Sequence, residues 1–384
     1  MKARSLSSVR ASVLVIVMVT LIFTALALTV FLEKASNDLI VEAREADTRR
    51  LRQEAYSALE TTLSVLEEFR LVTNGLHTPA EGWSDPLGFA GYVPTEGRTV
   101  TVTFEDESGK LSLPQAGANQ LQNLFLAFGL TNYDAEKLTD IMLGWMKRNH
   151  TYTTAQSPDY EHAALAYAAP LRSLRSYSEL AAIDFARTIF FDEAGRPNDL
   201  YRRFVENVSL LNFQRTNLNG AKSDVLTALG EFDETQKTKL SDYLAGTGQS
   251  AFNGPGWFTA TNDARKFLGS AGRANTFGTT ISALRIRLVV QEGRAQYRLD
   301  VVVSPQGGGA TTVLTTATNT RANTSDEQAA SAANVSTTSR PTTTPSSATT
   351  AAAASTRLNY PFTILQLAEN EPLPPPPPPP PPAP

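Results

Sequence analysis

The sequence contains no cysteine and only three histidines among its 384 residues. The lack of cysteine excludes disulfides, thiolate catalysis, zinc fingers and iron–sulfur clusters. His77, His150 and His162 do not form a pair at metal-ligand spacing, and we expect all three on the surface, in loops or at helix ends. No Ser/His/Asp arrangement is visible either. The composition therefore predicts a binding or structural protein that is not an enzyme, has no catalytic residues and requires no cofactor.

An excess of positive charge is also missing. The net charge is −4 and the isoelectric point is near 5.6. Because binding to a nucleic-acid backbone depends on clustered lysine and arginine, we expect no nucleic-acid partner.

The first part of the chain has a long segment without charge. Residues 11–32 (ASVLVIVMVTLIFTALALTVFL) would span about 33 Å as a helix, enough to cross a bilayer core of about 30 Å. Three basic residues and no acid precede it, which predicts a cytoplasmic N-terminus. A cleaved signal peptide is the alternative, but this apolar run is too long and Glu33 and Lys34 follow it directly. We therefore expect a single-pass protein of a bacterial inner membrane, with residues 33–384 in the periplasm.

The anchor continues into a second helical pattern. Residues 35–72 contain no glycine or proline, and their apolar residues recur at helical spacing. This pattern predicts one helix from about residue 12 to residue 73, half in lipid and half packed on a soluble head. A coiled-coil stalk, as in a membrane-anchored sensor, is the alternative interpretation.

The rest of the chain alternates between strand and helix patterns. Val100, Val102 and Phe104 alternate with threonines, as in a half-buried strand, and residues 284–303 form two alternating segments around a turn. Helical periodicity fills the interval between them. The predicted fold class is α+β, a long N-terminal helix packed on an antiparallel sheet, with a large all-α insertion that contains two helix hairpins. The predicted divisions are a leader (1–11), a transmembrane helix (12–32), a stem (33–75), the first part of the head (76–108), a helical insertion (109–265), head strands (266–304), a linker (305–357), a last strand (358–371) and a polyproline tail (372–384).

Two segments have unusual composition. Residues 306–356 consist almost entirely of Thr, Ala, Ser, Asn and Gly, which are too poor in large apolar side chains to build a core, so we expect disorder there. Pro374–Pro382 are nine consecutive prolines, which favour an extended polyproline II helix.

Four segments, in this order, resemble the minor pseudopilins of type II secretion known as the general secretion pathway protein K family. They are FEDESGKLSLPQAGANQLQNLF, KLTDIMLGWMKRNH, APLRSLRSYSELAAI and QRTNLNGAKSDVLTAL, and the resemblance extends from residue 10 to about residue 304. The matching family positions include Trp145, Glu179, Leu180, Asn217 and Asn219.

The resemblance implies a pilin-like fold and a place at the tip of the secretion pseudopilus, where the subunit initiates assembly and supports protein export. It implies as partners the other minor pseudopilins, the major pseudopilin, prepilin peptidase and inner-membrane lipid. The expected cleavage site is Ala11–Ser12, with alanine where the family usually has glycine. Position five after this cut is Ile16, where ordinary pilins have glutamate. We expect the stem face with Leu51, Leu59 and Leu66 to contact neighbouring subunits.

Calcium and DNA remain as further hypotheses. Pseudopilins often bind calcium, and the run Glu105–Glu107 offers clustered carboxylates, but no ligands are assigned. The helix hairpins also resemble those of membrane-anchored competence DNA receptors, although the turn at residues 230–234 is acidic where such receptors bind phosphate.

Overall fold

The computed structural model describes residues 7–154, 157–160, 167–230, 232–248, 254–269, 276–313 and 361–370. Disorder was predicted for residues 306–356, but residues 306–313 are described and ordered: Thr311 pairs with Asn212 and Ala310 is buried, so the prediction is wrong for this part. The remainder of that segment, the polyproline tail, the first six residues of the leader and His162 lie outside the described residues.

The first element is one helix, α1, from Ser7 to Thr73. Its 67 residues correspond to about 100 Å. The helix ends where Asn74 and Gly75 adopt positive φ values of 56° and 145°, which stop a right-handed helix. Among the described residues, one helix segment, within Val15–Thr73, is long and apolar enough to cross a membrane, and its apolar window is not buried in the chain.

The strands are β1 (Arg98–Asp106), β2 (Leu111–Ser112), β3 (Val208–Ser209), β4 (Thr216–Asn217), β5 (Phe277–Gly278), β6 (Leu284–Glu292), β7 (Ala295–Pro305) and β8 (Phe362–Glu369). A four-stranded antiparallel sheet in the order β1-β6-β7-β8 forms the base of the head. The predicted hairpin is confirmed as β6 and β7, and the last predicted strand pairs with β7 on both sides of a bulge between Val302 and Val303.

The stem residues predicted to contact neighbouring subunits are buried inside this chain. Leu51, Leu59 and Leu66 are only 2%, 4% and 0% exposed, and they pack in one cluster with side chains of β6 and β7. The prediction of a contact face at these positions is therefore wrong. Burying the apolar stripe of a helix against another apolar surface removes both from water and stabilises the fold. Here that surface is the chain's own sheet.

The chain leaves the sheet after β1 and returns at β6. The helices after α1 are α2 (Pro86–Phe89), α3 (Ala118–Ala127), α4 (Asn132–Met146), α5 (Asp184–Phe190), α6 (Asp199–Asn207), α7 (Ser223–Gly230), α8 (Glu234–Leu244) and α9 (Thr261–Leu268). Of these, α2 precedes the sheet. The residues between β1 and β6 form two apolar clusters, one around α3–α6 and one around α7–α9.

The α+β class is confirmed, with two corrections to the insertion. It is not all-α, because β2 pairs with β3 and β4 with β5 in two short parallel bridges. It also extends beyond the predicted end at residue 265, because Leu268 and Phe277 belong to the apolar cluster of α7–α9. The ring of Phe277 stacks on Phe232 with 5.7 Å between centroids, which keeps this segment with the insertion.

Candidate functional site

Asn217 lies fully buried where the insertion meets the sheet and the end of α1. Its Nδ2 donates to the carbonyl oxygen of His77 at 3.0 Å and to Asp106 Oδ2 at 2.7 Å. Its Oδ1 accepts the backbone N–H of Asn219 at 3.2 Å and caps the single turn Leu218–Gly220. One side chain thus connects the segment after α1, the end of β1 and the turn that precedes α7. We call His77, Asp106, Asn217 and Asn219 the joint.

Asn219 connects the joint to two more segments. Its Nδ2 donates to the carbonyl oxygens of Phe258 at 3.0 Å and Thr279 at 2.9 Å. Its Oδ1 accepts the backbone N–H of Phe258 at 2.8 Å. Both N–H groups of the Asn219 amide therefore donate within the chain. The Asn217-Leu218-Asn219 motif holds separate segments of the head together.

Asp106 is the carboxylate of the joint and is half-buried. Its Oδ1 accepts the backbone N–H of Ser108 at 2.9 Å and the hydroxyl of Ser108 at 2.6 Å. Gly220 lies so close that a Cβ there would be 2.3 Å from Asp106 Oδ2. Burial raises the pKa of Asp106 to about 6, while the hydrogen bonds from Ser108 and Asn217 act in the opposite direction.

His77 is 2% exposed, so the expectation of a surface histidine is wrong at this position. Its Nδ1 lies 2.6 Å from the carbonyl oxygen of Thr279, and because a carbonyl only accepts, Nδ1 carries the hydrogen. Glu81 Oε2 accepts the backbone N–H of His77 at 3.1 Å and the indole N–H of Trp83 at 3.0 Å. The sequence did not reveal this burial because Thr279 lies about 200 residues away along the chain.

The acidic run after β1 pairs with cations of the same chain. Lys110 Nζ lies 2.6 Å from Glu105 Oε1 and 3.3 Å from Glu107 Oε2. Arg285 Nε donates to Glu107 at 2.6 Å, and Arg287 Nη2 donates to Glu105 at 2.6 Å. Burial favours the neutral form of Glu105, but Lys110 and the two arginines outweigh it and lower the pKa of Glu105 to about 2. The negative charges of Glu105 and Glu107 are therefore balanced by lysine and arginine side chains of the same chain.

The described residues include no group of three or more His, Cys, Asp or Glu side chains that could hold a metal ion. Calcium binding stays a prediction without ligands.

The ion pairs continue across the outer face of the sheet. Arg285 Nη1 donates to Asp300 Oδ1 at 2.7 Å, and Arg287 Nε donates to Asp300 Oδ2 at 3.0 Å. Between this face and the insertion lies a cavity of about 350 Å³, with Tyr177 on the insertion side and Arg298 on the sheet side. Arg285, Arg287 and Asp300 all belong to the sheet, so these ion pairs join its neighbouring strands β6 and β7. Glu107 and Lys110 extend the same network to the start of the insertion.

A buried carboxylate on α1 escaped the sequence analysis. Glu54 is 8% exposed and accepts hydrogen bonds from the Tyr92 hydroxyl at 2.6 Å, the Thr95 hydroxyl at 2.6 Å and Arg98 Nη1 at 3.2 Å. Burial opposes ionisation of Glu54, but these hydrogen bonds prevail and lower its pKa. Its spacing of three residues from Leu51 was the available signal, because an acid on the apolar side of a helix requires partners.

The part of α1 from Val15 to Val41, which we call the lower stem, is not covered by other described residues of the chain. Large apolar side chains from Val15 to Val41 are about half or more exposed, and Ile16 is 60% exposed. Ala11 and Ser12 lie within α1, which continues through the proposed cleavage position. Cleavage there stays a prediction.

Residues 104–190 match the model of a protein family described as type II secretion system (T2SS), protein K. We refer to residues 104–190, the interval that this model matches, as the protein K domain. The match begins in β1 and ends with α5, and it contains three of the predicted family positions, Trp145, Glu179 and Leu180. The resemblance found in the sequence is thereby confirmed.

A solved structure is also similar to this chain. It is a chain of the crystal structure of the GspK-GspI-GspJ complex from the type 2 secretion system of enterotoxigenic Escherichia coli, with 14% identity and a TM-score of 0.46. The alignment covers 70% of this chain and 95% of that chain. None of the curated proteins compared with the chain matches it.

Within the protein K domain, the three predicted positions have structural contacts. Trp145 is 4% exposed and meets the ring of Tyr160 edge-on at 5.3 Å. Leu180 is fully buried in the same apolar cluster. Glu179 Oε1 accepts the backbone N–H of Ser176 at 3.3 Å, which completes a capping box at Ser176, and the turn that it opens is a 3-10 helix followed by α5.

Proposed function

We propose that this chain is a minor pseudopilin of a type II secretion system, a non-enzymatic subunit at the tip of the pseudopilus that initiates its assembly and supports export across the outer membrane. The protein K domain at residues 104–190, carried by a long helix and an antiparallel sheet, is the observation that supports this most. The side chains of the joint and of the charged network, both described above, are used for contacts within the chain, as expected of a structural subunit.

The position of the insertion favours the tip of a fibre. The stem enters the head at Leu51, and Leu76, just after its end, accepts the backbone N–H of Ile281 at 2.6 Å. The insertion is therefore attached at the end of the head that lies away from the apolar segment of α1. Extra bulk at that end is easiest to place where no further subunit has to pack above it.

The same proposal gives the chain an orientation in the inner membrane. The basic residues before the apolar segment favour a cytoplasmic N-terminus with the head in the periplasm. Prepilin peptidase would cut between Ala11 and Ser12, which makes Ile16 the fifth residue. An apolar residue suits a subunit with no neighbour above it, because an unpaired carboxylate in lipid is costly.

The expected partners are two other minor pseudopilins, the major pseudopilin and inner-membrane lipid. The exposed apolar side chains of the lower stem can pack beside other stems or against lipid. A nucleic-acid partner is not part of the proposal, because the turn before α8 presents Asp233 and Glu234.

The test combines an export assay with co-purification. Deleting the gene should abolish export of the secreted proteins, and the full-length chain should restore it. The tagged full-length chain, extracted from membranes with detergent, should co-purify with the other minor pseudopilins. A Tyr133→Ser chain is the matched control, because Tyr133 is 60% exposed on α4 and should tolerate the change. Normal export in the deletion strain, together with no co-purification, would contradict the proposal and favour a DNA receptor, which retention on DNA-cellulose at low salt would then detect.

A further inference from the structure

The inner face of the sheet, which α1 covers, is left partly open at β8. In the pairing of β8 with β7, Ile364 lies opposite Val303 and Leu367 opposite Val301, and both valines are buried in the cluster with α1. Opposite residues of an antiparallel pair point to the same face, so Ile364 and Leu367 belong to the inner face. They are nevertheless 47% and 41% exposed.

Strand β8 runs beside α1 in the opposite direction. At one end, Glu369 Oε1 accepts hydrogen bonds from Arg52 Nη2 at 2.8 Å and from the Tyr56 hydroxyl at 2.6 Å. At the other end, Arg70 Nη2 approaches Gln306 Oε1 at 3.4 Å, and Gln306 is bonded to the residue before β8. The interval between Arg52 and Arg70 corresponds to about 27 Å of helix, which matches the length of the eight-residue strand. A groove of this length therefore lies between the two elements.

We define the β8 groove by its floor, Ile364 and Leu367, and its wall, Tyr56, Glu60 and Glu67. The wall residues share one face of α1, because they are spaced by four and seven residues. Glu67 is compensated by Arg70, whose Nε lies 2.6 Å away. Glu60 is exposed and has no ion-pair partner in the part of the chain that the structure describes. The groove thus combines an apolar floor with one uncompensated negative charge.

The dimensions of the groove suit a helix. A helix is about 10 Å wide and covers about two strands, which are about 4.8 Å apart. Helix α1 packs on β6 and β7. Trp83, whose ring meets Phe104 of β1 at 5.0 Å, covers the same inner face at the β1 edge, so β8 is the edge left open. A second helix at the usual spacing of 8–10 Å from α1 would lie over β8. Below the head, such a helix would also meet the exposed side chains of the lower stem, such as Leu39.

We propose that the β8 groove is the docking site for the stem helix of a neighbouring minor pseudopilin, and that this helix presents an apolar stripe flanked by a lysine or arginine facing Glu60. The proposal rests on the proposed function, and it replaces the buried face of Leu51, Leu59 and Leu66 as the contact surface of the stem. The partner's apolar side chains cover Ile364 and Leu367, and its cation compensates Glu60.

Disulfide crosslinking in cells tests this contact directly, because the chain has no cysteine of its own. The full-length Leu367→Cys chain is expressed with another minor pseudopilin that carries a single cysteine at successive stem positions. We expect crosslinks at partner positions three or four residues apart, at least tenfold above those of the Tyr133→Cys control on α4. Equal yields from the two chains, or crosslinks only between two copies of this chain, would overturn the proposal.

Charge variants of the full-length chain provide a second measurement. Leu367→Asp should reduce co-purification of the partner about tenfold and Glu60→Lys several-fold, whereas Tyr133→Asp should have no effect. Since all three side chains are exposed, unchanged tryptophan fluorescence should show that the head is folded.

The export assay separates failure of this inference from failure of the proposed function. If export depends on the chain but Leu367→Asp retains its partners and Leu367→Cys forms no crosslink, the groove proposal alone is wrong. If export does not depend on the chain, the proposed function is wrong as well.

Discussion

Truncation of Leu59 should destabilise the head. Leu59 is 4% exposed in the cluster between α1 and the sheet. A Leu→Ala change at such a position removes buried apolar surface and leaves a cavity, which costs about 3 kcal/mol. For a head of this size, that loss lowers the Tm by about 6–12 °C. The fluorescence of Trp83, which is fully buried in the same cluster, reports the transition in the full-length chain in detergent.

Leu39→Ala is the matched control for this prediction. It removes the same atoms from the same helix, but Leu39 is 66% exposed, so we expect a change below about 0.5 kcal/mol. Co-purification with the other minor pseudopilins is measured in parallel. If Leu59→Ala leaves the Tm unchanged and instead weakens co-purification, then Leu59 is a subunit contact and the assignment of this face to the chain's own core is refuted.

Three further predictions concern buried and half-buried polar groups. Asn219→Ala removes three hydrogen bonds and should lower the free energy of unfolding by about 2 kcal/mol, measured by urea titration. Burial raises the pKa of Asp106 from 3.8 to about 6, so the folded chain binds the Asp106 proton more tightly than the unfolded chain does. The contribution of this proton to the free energy of unfolding is therefore complete below about pH 4 and is lost as the pH rises to 6. The slope should approach about 1.4 kcal/mol per pH unit between these values, and a slope that is unchanged in Asp106→Asn would contradict the assignment. Glu54→Ala removes the acceptor of the Tyr92 and Thr95 hydroxyls, while Arg98 keeps its ion pair with Glu292, so we expect a cost of about 2 kcal/mol. Glu60→Ala on the exposed side of the same helix should cost less than about 0.5 kcal/mol.

The parts of the fold that depend on residues close together in the sequence could be predicted. The uncharged run and the lack of glycine and proline indicated α1, and the left-handed residues Asn74 and Gly75 end it where the sequence placed a stop. Alternation of apolar and polar residues indicated β6 and β7. The capping box of Ser176 and Glu179 was also readable, because its partners lie three residues apart.

The roles of the candidate site residues depended on distant partners. Asn217 and Asn219 were recognised as motif positions, but nothing near them indicated that they bond to His77, Asp106 and Phe258. The acidic run presented the same difficulty. From the sequence, its carboxylates could have bound calcium. The arginines that pair with them follow about 180 residues later along the chain.

The sequence by itself determined that this protein has a membrane-length apolar helix, an α+β head with a helical insertion, and the motifs of a type II secretion protein K, because each of these is a local pattern of hydrophobicity, charge or residue type. Only the tertiary structure decided which side of the stem is available to a partner. The apolar stripe with Leu59 is buried against the sheet, whereas Ile364 and Leu367 stay exposed on β8. Strand β8 lies far from β6 and β7 along the sequence, so its place in the sheet could not be deduced from local patterns. A periodic stripe shows that a face must be buried, but what buries it depends on which apolar surface the folded chain brings nearest.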